Sequence, residues 1–403
     1  MISKTLLFIF CCLMLVNCST KDVEFPEFSI TDFSSPTDSI SGEPFLFRDE
    51  QNRVHLSWIE KKKDSSYLKF AVLKNDTWTP PTTIASGNNW FVNWADYPMI
   101  SSNGKNMIAH YLAKSAEGTY AYDIKIKQSS DLGITWNEQF TLHDDGKQAE
   151  HGFVSIVPYQ NNFFVSWLDG RNTGMAENAG QDSHDGHHGA MSVRAAVLND
   201  TGTKISEWEL DNKVCDCCQT ASAITSNGPI VVYRDRSDEE IRDMSIVRLV
   251  DGVWTEPKNI FNDGWNIKGC PVNGPRAAAI GNHLAIAWFS AADNKPQVQL
   301  ILSSDGGSSF REPIRIDHGQ AIGRVDVEWL NEEQVLVSWM EGGDIKLVAV
   351  NRNGSMGESV VVASSSVNRA SGFPQMTLSN DQVYIGWTSA EEKKIKMARL
   401  SVR

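Results

Sequence analysis

Beyond its first residues the sequence has no long hydrophobic run. Only Leu6 to Val16, following Lys4, is unbroken and apolar. That stretch is too short to cross a bilayer but suits the core of a signal peptide, so it is expected to be removed. Positive charge is scarce too. A net charge of −13 leaves no global field to hold phosphates, which excludes nucleic acid as an expected partner. Long helical periodicity is missing, which argues against a helical or α/β architecture. Cysteines are few: of the seven, Cys11 and Cys12 lie in the apolar run and Cys18 follows it, leaving Cys215, Cys217, Cys218 and Cys270 for the folded part.

Leu15-Val16-Asn17-Cys18 resembles the lipobox of bacterial lipoproteins, with Asn17 in place of the usual Gly or Ala. The resemblance implies a signal peptide over 1–17, acylation of Cys18 and a tether over 18–24; the alternative is an ordinary secretory signal cleaved nearby. Ser19-Thr20-Lys21-Asp22 is similar to the surface-export signal of Bacteroidetes lipoproteins. The implied location is the outer membrane or cell surface, with membrane contact through the lipid alone. That compartment is oxidising and permits disulfides.

One apolar strand ending in an aromatic residue recurs seven times: Val54 to Trp58, Met107 to Tyr111, Phe163 to Trp167, Pro229 to Tyr233, Leu284 to Trp288, Val335 to Trp339 and Val383 to Trp387. A period of about 50 residues, rich in β-branched and aromatic positions, predicts an all-β, seven-bladed β-propeller over 25–403. Four antiparallel strands are expected per blade. In the fifth they run Ala277 to Ile280, His283 to Trp288, Gln297 to Ser303 and around Ile314. The seventh repeat ends after Ile395 to Val402 without an outer strand, and the alternating segment Phe25 to Phe33 is expected to supply it and close the ring.

Two turns carry a family resemblance. The residues Ser129-Ser130-Asp131-Leu132-Gly133-Ile134-Thr135-Trp136 and Ser303-Ser304-Asp305-Gly306-Gly307-Ser308-Ser309-Phe310 resemble the Asp box, or bacterial neuraminidase repeat, of sialidases. Degenerate versions occur at Asn75-Asp76-Thr77-Trp78 and Asp251-Gly252-Val253-Trp254. The Asp-box residues (Ser129, Asp131, Gly133, Trp136; Ser303, Asp305, Gly307, Phe310) satisfy one another locally, which makes them structural rather than catalytic. The resemblance implies a six-bladed ring as the alternative to seven, with the active site on the face opposite the Asp boxes.

Strand parity assigns loops to that opposite face. It should hold His151, the run Cys215-Asp216-Cys217-Cys218, Cys270, Arg276, Arg324 and Asp326, together with Asp169, Arg171, Tyr233, Arg234, Asp235, Arg236 and Glu341. A sialidase would use arginines to clamp the substrate carboxylate, an Asp acid and a Tyr nucleophile. Arg171, Arg234, Arg236, Arg276 and Arg324, with Asp326, Glu341 and His151, are candidates for ligand binding; Asp169 and Asp235 are candidate acids and Tyr233 a candidate nucleophile. The sequence departs from the family in lacking an early Arg-Ile-Pro, since it reads Pro44-Phe45-Leu46-Phe47-Arg48, and in having no tyrosine on this face of the last two blades. The reading is therefore a lipoprotein that binds a glycan or other anionic ligand at the channel mouth, with an exo-sialidase-like hydrolase as the alternative.

Sulfur and imidazole offer another reading. Cys215, Cys217, Cys218 and Cys270, with His151 or the loop residues His184, His187 and His188, match no standard zinc spacing, yet thiolate and imidazole suit copper or zinc in a metal-handling protein. No cofactor is otherwise implied. Disulfides are the competing use, and an interblade bond from Cys270 to the triplet is expected. Cys217 and Cys218, if extended, would point to opposite sides and could not share a centre.

Overall fold

The computed structural model describes residues 23–38, 40–173 and 189–403. The signal segment 1–17, Cys18, most of the tether, and His184, His187 and His188 lie outside the described residues.

Each repeated apolar strand is the second strand of a blade. Its terminal aromatic packs between neighbouring sheets: Trp58, Trp167, Tyr233, Trp288 and Trp339 are completely buried, Tyr111 and Trp387 nearly so. Seven antiparallel sheets result. Their innermost strands are Ser41–Arg48, Ile100–Asn103, His151–Tyr159, Ala221–Thr225, Arg276–Ile280, Ala321–Trp329 and Gln375–Ser379. Each touches the next, and the last touches the first, so the chain is a closed seven-bladed β-propeller. The fifth blade has strands Arg276–Ile280, His283–Ser290, Gln297–Ser303 and Ile314–Arg315, as the sequence predicts. Packing explains the architecture, because a sheet apolar on both faces is buried only when flanked on both sides.

Closure uses both chain ends. Phe28–Phe33 pairs antiparallel with Lys394–Val402 in continuous register, from Phe28 opposite Val402 to Phe33 opposite Met397. Glu27 and Arg403 exchange backbone hydrogen bonds of 3.1 and 3.3 Å just beyond that strand. Residues before it run along the Asp-box side of blade six, where the Glu24 carbonyl accepts from Gln334 Nε2 at 2.8 Å.

The Asp boxes are self-contained. Asp131 Oδ1 accepts from Thr135 N at 2.9 Å and from Ser129 Oγ at 2.7 Å, and Asp131 Oδ2 accepts from Thr135 Oγ1 at 2.6 Å. Asp305 repeats this pattern with Ser303 and Ser309. Gly133 sits at φ 82°, and a Cβ there would lie 2.4 Å from the Phe70 ring, so glycine is required on both counts.

Three inner strands are bulged at the opposite face. Register slips follow Gly42, Gly152 and Gly323, and the next residues, Glu43, Phe153 and Arg324, take φ near 53°. A neighbouring blade caps each bulge: Thr388 Oγ1 accepts from Glu43 N, Asp96 Oδ1 from Phe153 N and Asn273 Oδ1 from Arg324 N. Left-handed backbone at a non-glycine residue costs about 1–2 kcal/mol, and such bulges turn a side chain out of its strand direction.

Candidate functional site

The candidate acids belong to a structural repeat. A carboxylate stands two residues after the core aromatic at Glu60, Asp169, Asp235 and Glu341. In two blades it accepts the buried indole N–H, Trp167 Nε1 to Asp169 Oδ2 at 2.8 Å and Trp339 Nε1 to Glu341 Oε2 at 3.0 Å. Burial works to raise the Asp169 carboxyl, but hydrogen bonds from Arg171 and the nearby His151 and Trp167 hold it at about 2. It is ionised at neutral pH and has no proton to donate. Glu341 is likewise held at about 2 against its burial, by Trp339, Lys346 and the backbone N–H groups of Gln320 and His318. Burial raises Asp235, whose oxygens accept from Arg236 N and Ser245 Oγ. Tyr233 is completely buried and donates to Asp211 Oδ2 at 2.7 Å, with burial pushing its hydroxyl far up. Tyr233, the candidate nucleophile, is thus placed in the core with its hydroxyl engaged by Asp211.

The arginines do not form the expected clamp. Arg171 is bidentate to Asp169, and Arg236 bonds Glu240 and Asp216. Arg234, only 1% exposed, donates to the carbonyls of Arg242, Asn273 and Phe289 at 2.7–2.8 Å. Arg276 bonds Asp326 Oδ1 at 3.0 Å and Gln375. Arg276 and Asp326 line the central channel, a cavity of about 260 Å³ reached by all seven inner strands. Asp326 also accepts from the backbone N–H groups of Val327 and Met376.

Arg324 is different. Among the described residues it has no carboxylate partner; its Nη1 donates to the Asn368 carbonyl at 3.2 Å, and its Cζ lies 5.1 Å from the Trp94 ring centroid. Arg369, exposed on the loop leading into blade seven, lies 5.5 Å from the same ring. Trp94 stacks on Phe373 with centroids 5.9 Å apart and planes at 8°. Burial, with Arg369 nearby, lowers the Arg324 guanidinium to about 10, still cationic at neutral pH. The mouth therefore carries a partly exposed indole with one exposed guanidinium, Arg369, and one buried guanidinium, Arg324, against it. Sequence reading missed Trp94, Phe373 and Arg369; the aromatic run Trp90-Phe91-Val92-Asn93-Trp94, outside any strand repeat, is the signal that could have flagged the first.

His151, expected beside the cysteines, instead groups with His143, Asp123, Asp145 and Asp169 in a histidine–carboxylate network across blades two and three. Its ring stacks on His143 at 3.6 Å, and its Nε2 lies 3.2 Å from Asp145 Oδ2 and 3.6 Å from Asp169 Oδ1. His143 Nδ1 pairs with Asp145 Oδ1 at 2.6 Å, and its Nε2 stands 3.6 Å from Asp123. Beside this network, Tyr122 Oη donates to Glu150 Oε1 at 2.7 Å. Burial raises Glu150 to about 8 and Asp96 to about 7. The Tyr122–Glu150 pair has the composition of a sialidase nucleophile and its base, but Tyr122 is fully buried.

No disulfide joins the four cysteines, which corrects the expected interblade bond. Residues 216–217 form a turn instead of an extended strand, and this brings Cys215, Cys217 and Cys218 sulfurs within 4.8 Å of one another. The expected divergence of Cys217 and Cys218 fails for that reason. Cys270, on the loop leading into blade five, lies close enough to Cys217 to help raise its thiol, after burial and the other two cysteines of the turn. Arg242 Nη1 donates to Cys215 Sγ at 3.5 Å. Burial raises the Cys215 thiol to about 11, whereas Cys218, against its burial, is drawn well down by thiol donors and by Arg234.

No family model matches the chain, and no curated protein sequence is similar to it. Solved structures are similar in fold. A protein of unknown function from Dyadobacter fermentans is 13% identical, with 93% of this chain and 99% of that one covered at a TM-score of 0.51. An α-L-arabinanase from Penicillium chrysogenum is 11% identical, covering 94% and 99% at a TM-score of 0.50. A Streptococcus pneumoniae sialidase is 9% identical, covering 94% and 95% at a TM-score of 0.46. At such identities the likeness is one of fold: the chain is a β-propeller similar to those of the Dyadobacter fermentans protein and the arabinanase.

Proposed function

We propose that this propeller binds an anionic carbohydrate at its channel mouth, as a lipoprotein of the outer membrane or cell surface. The observation that carries the reading is the partly exposed Trp94 with the exposed Arg369 beside it and the largely buried Arg324, 4% exposed, behind, neither cation having a carboxylate partner among the described residues. An indole face takes the apolar side of a sugar ring, and guanidinium groups take its carboxylate or sulfate. The strained bulge at Arg324 favours the same reading, since strain at non-glycine residues concentrates at functional positions. The arabinanase structure holds arabinobiose, and it lends this chain only its fold. Anchoring rests on the sequence Leu15 to Cys18.

Binding, without cleavage, is favoured by the ionised state of Asp169 and the burial of Tyr233 and Tyr122. Calorimetric titration with sialylated, uronic-acid and sulfated oligosaccharides tests the reading. At least one class should bind the wild-type protein and lose affinity in Trp94→Ala. Equal binding by Trp94→Ala and by Arg324→Gln/Arg369→Gln would refute it, and release of sialic acid from a fluorogenic sialoside would favour the hydrolase instead.

A further inference from the structure

Outside the Trp94 platform, one buried gathering of reactive side chains is all sulfur. We propose that Cys215, Cys217, Cys218 and Cys270 form a buried centre for one thiophilic d10 cation, Cu(I) or Zn(II), that ties blade four to blade five.

The turn supplies the geometry. Within four residues it presents three sulfurs to one point, while Asp216 between them bonds Arg236 at 3.0 Å. Cys215 Sγ and Cys218 Sγ lie 3.4 Å apart. Sulfurs around a tetrahedral metal at about 2.3 Å stand about 3.8 Å from one another, close to this spacing. A disulfide needs about 2.05 Å, well short of the separation between Cys215 and Cys218. Cys270 stands outside this mutually close triplet, on the loop leading into blade five and next to Cys217, and is the side chain placed to supply a fourth sulfur when the ion binds.

Charge favours the same occupant. Four thiolates around a single or double cation retain two or three negative charges, which a buried site must balance. Arg242 and Arg234, 4% and 1% exposed, flank the cluster, with Arg242 donating directly to Cys215 Sγ. Arg234 Nε is a buried donor with no acceptor among the described residues. Arg242 is also paired with Glu240 at 2.8 Å, so the charge a metal–thiolate centre would chiefly balance is that of Arg234, which bonds only carbonyls. An all-sulfur set selects a soft cation over calcium, magnesium or manganese. This centre is separate from the carbohydrate reading, because neither Trp94 nor Arg324 belongs to it.

Titration of the reduced, purified protein with Co(II) under anaerobic conditions reads the site directly. One equivalent should give sulfur-to-cobalt charge transfer and the intense visible bands of tetrahedral thiolate coordination. Zn(II) and Cu(I) titrated separately should each displace it, and their relative affinities then identify the resident ion. Cys217→Ser and Cys270→Ser should weaken binding at least about tenfold, and Arg242→Gln about tenfold through the sulfur it serves. Thermal melting separates loss of the site from loss of the fold, and Cys270→Ser, altering a partly exposed loop, is the variant least damaging to the core. Two disulfides in the protein as secreted, or Co(II) uptake unchanged in both serine variants, would overturn the proposal whatever the carbohydrate titration gives.

Discussion

The guanidinium of Arg324 lies over the indole of Trp94 at 5.1 Å, although one residue belongs to blade six and the other to the loop leading into blade two. Blades seven and one separate them around the ring, so the contact spans the mouth and depends on ring closure. If it forms the ligand platform, Trp94→Ala should weaken carbohydrate binding about tenfold or more, corresponding to about 1.4 kcal/mol. Arg324→Gln and Arg369→Gln should each weaken it less and make it less salt-dependent. Calorimetry at two ionic strengths checks both effects.

Glu341 should behave as a structural residue. Glu341→Ala leaves the buried Trp339 N–H without an acceptor and removes the Lys346 contact, so a loss of about 2–3 kcal/mol in denaturant unfolding is expected with ligand affinity unchanged.

The buried carboxyl of Glu150 predicts a pH dependence of stability. Its value is about 8 in the folded chain against 4.5 when free. Between these values the native state keeps a proton that the unfolded state releases, so this group's contribution to stability falls as pH rises from about 4.5 to 8. In Glu150→Gln that share of the slope should vanish, as read from melting temperatures across the interval. An unchanged slope would show that Glu150 ionises normally.

Ring closure predicts the effect of shortening the chain. Without residues 23–33, the strand Lys394–Val402 becomes an open edge with unpaired backbone groups. Such a protein should self-associate in light scattering, while Ile30→Pro, which breaks the pairing locally, should lower the melting temperature without full loss of the fold.

The blade repeat was legible because each aromatic-ended strand fills the same space between sheets, from Trp58 to Trp387, and the Asp-box turns mark equivalent corners. The mouth was less legible for two reasons. Asp169 and Glu341 read as acids because a sequence does not display that Trp167 and Trp339 donate to them. Trp94 lies in an irregular loop and Arg369 in a single 3-10 turn, where no periodicity announces which neighbours a side chain will meet. At Cys217 and Cys218 the assumption of extended backbone failed, and a single turn reversed the conclusion about shared geometry.

The course of residues 23–27 has a consequence for orientation. They lead into the closing strand along the Asp-box side, against Gln334 and the neighbourhood of Gly357, where Phe25 packs. The chain therefore reaches Val23 on the side away from Trp94, and any surface attachment made through that end would hold the molecule with its indole platform turned outward. Large polymeric ligands could then approach head-on, without threading between the protein and the surface that carries it.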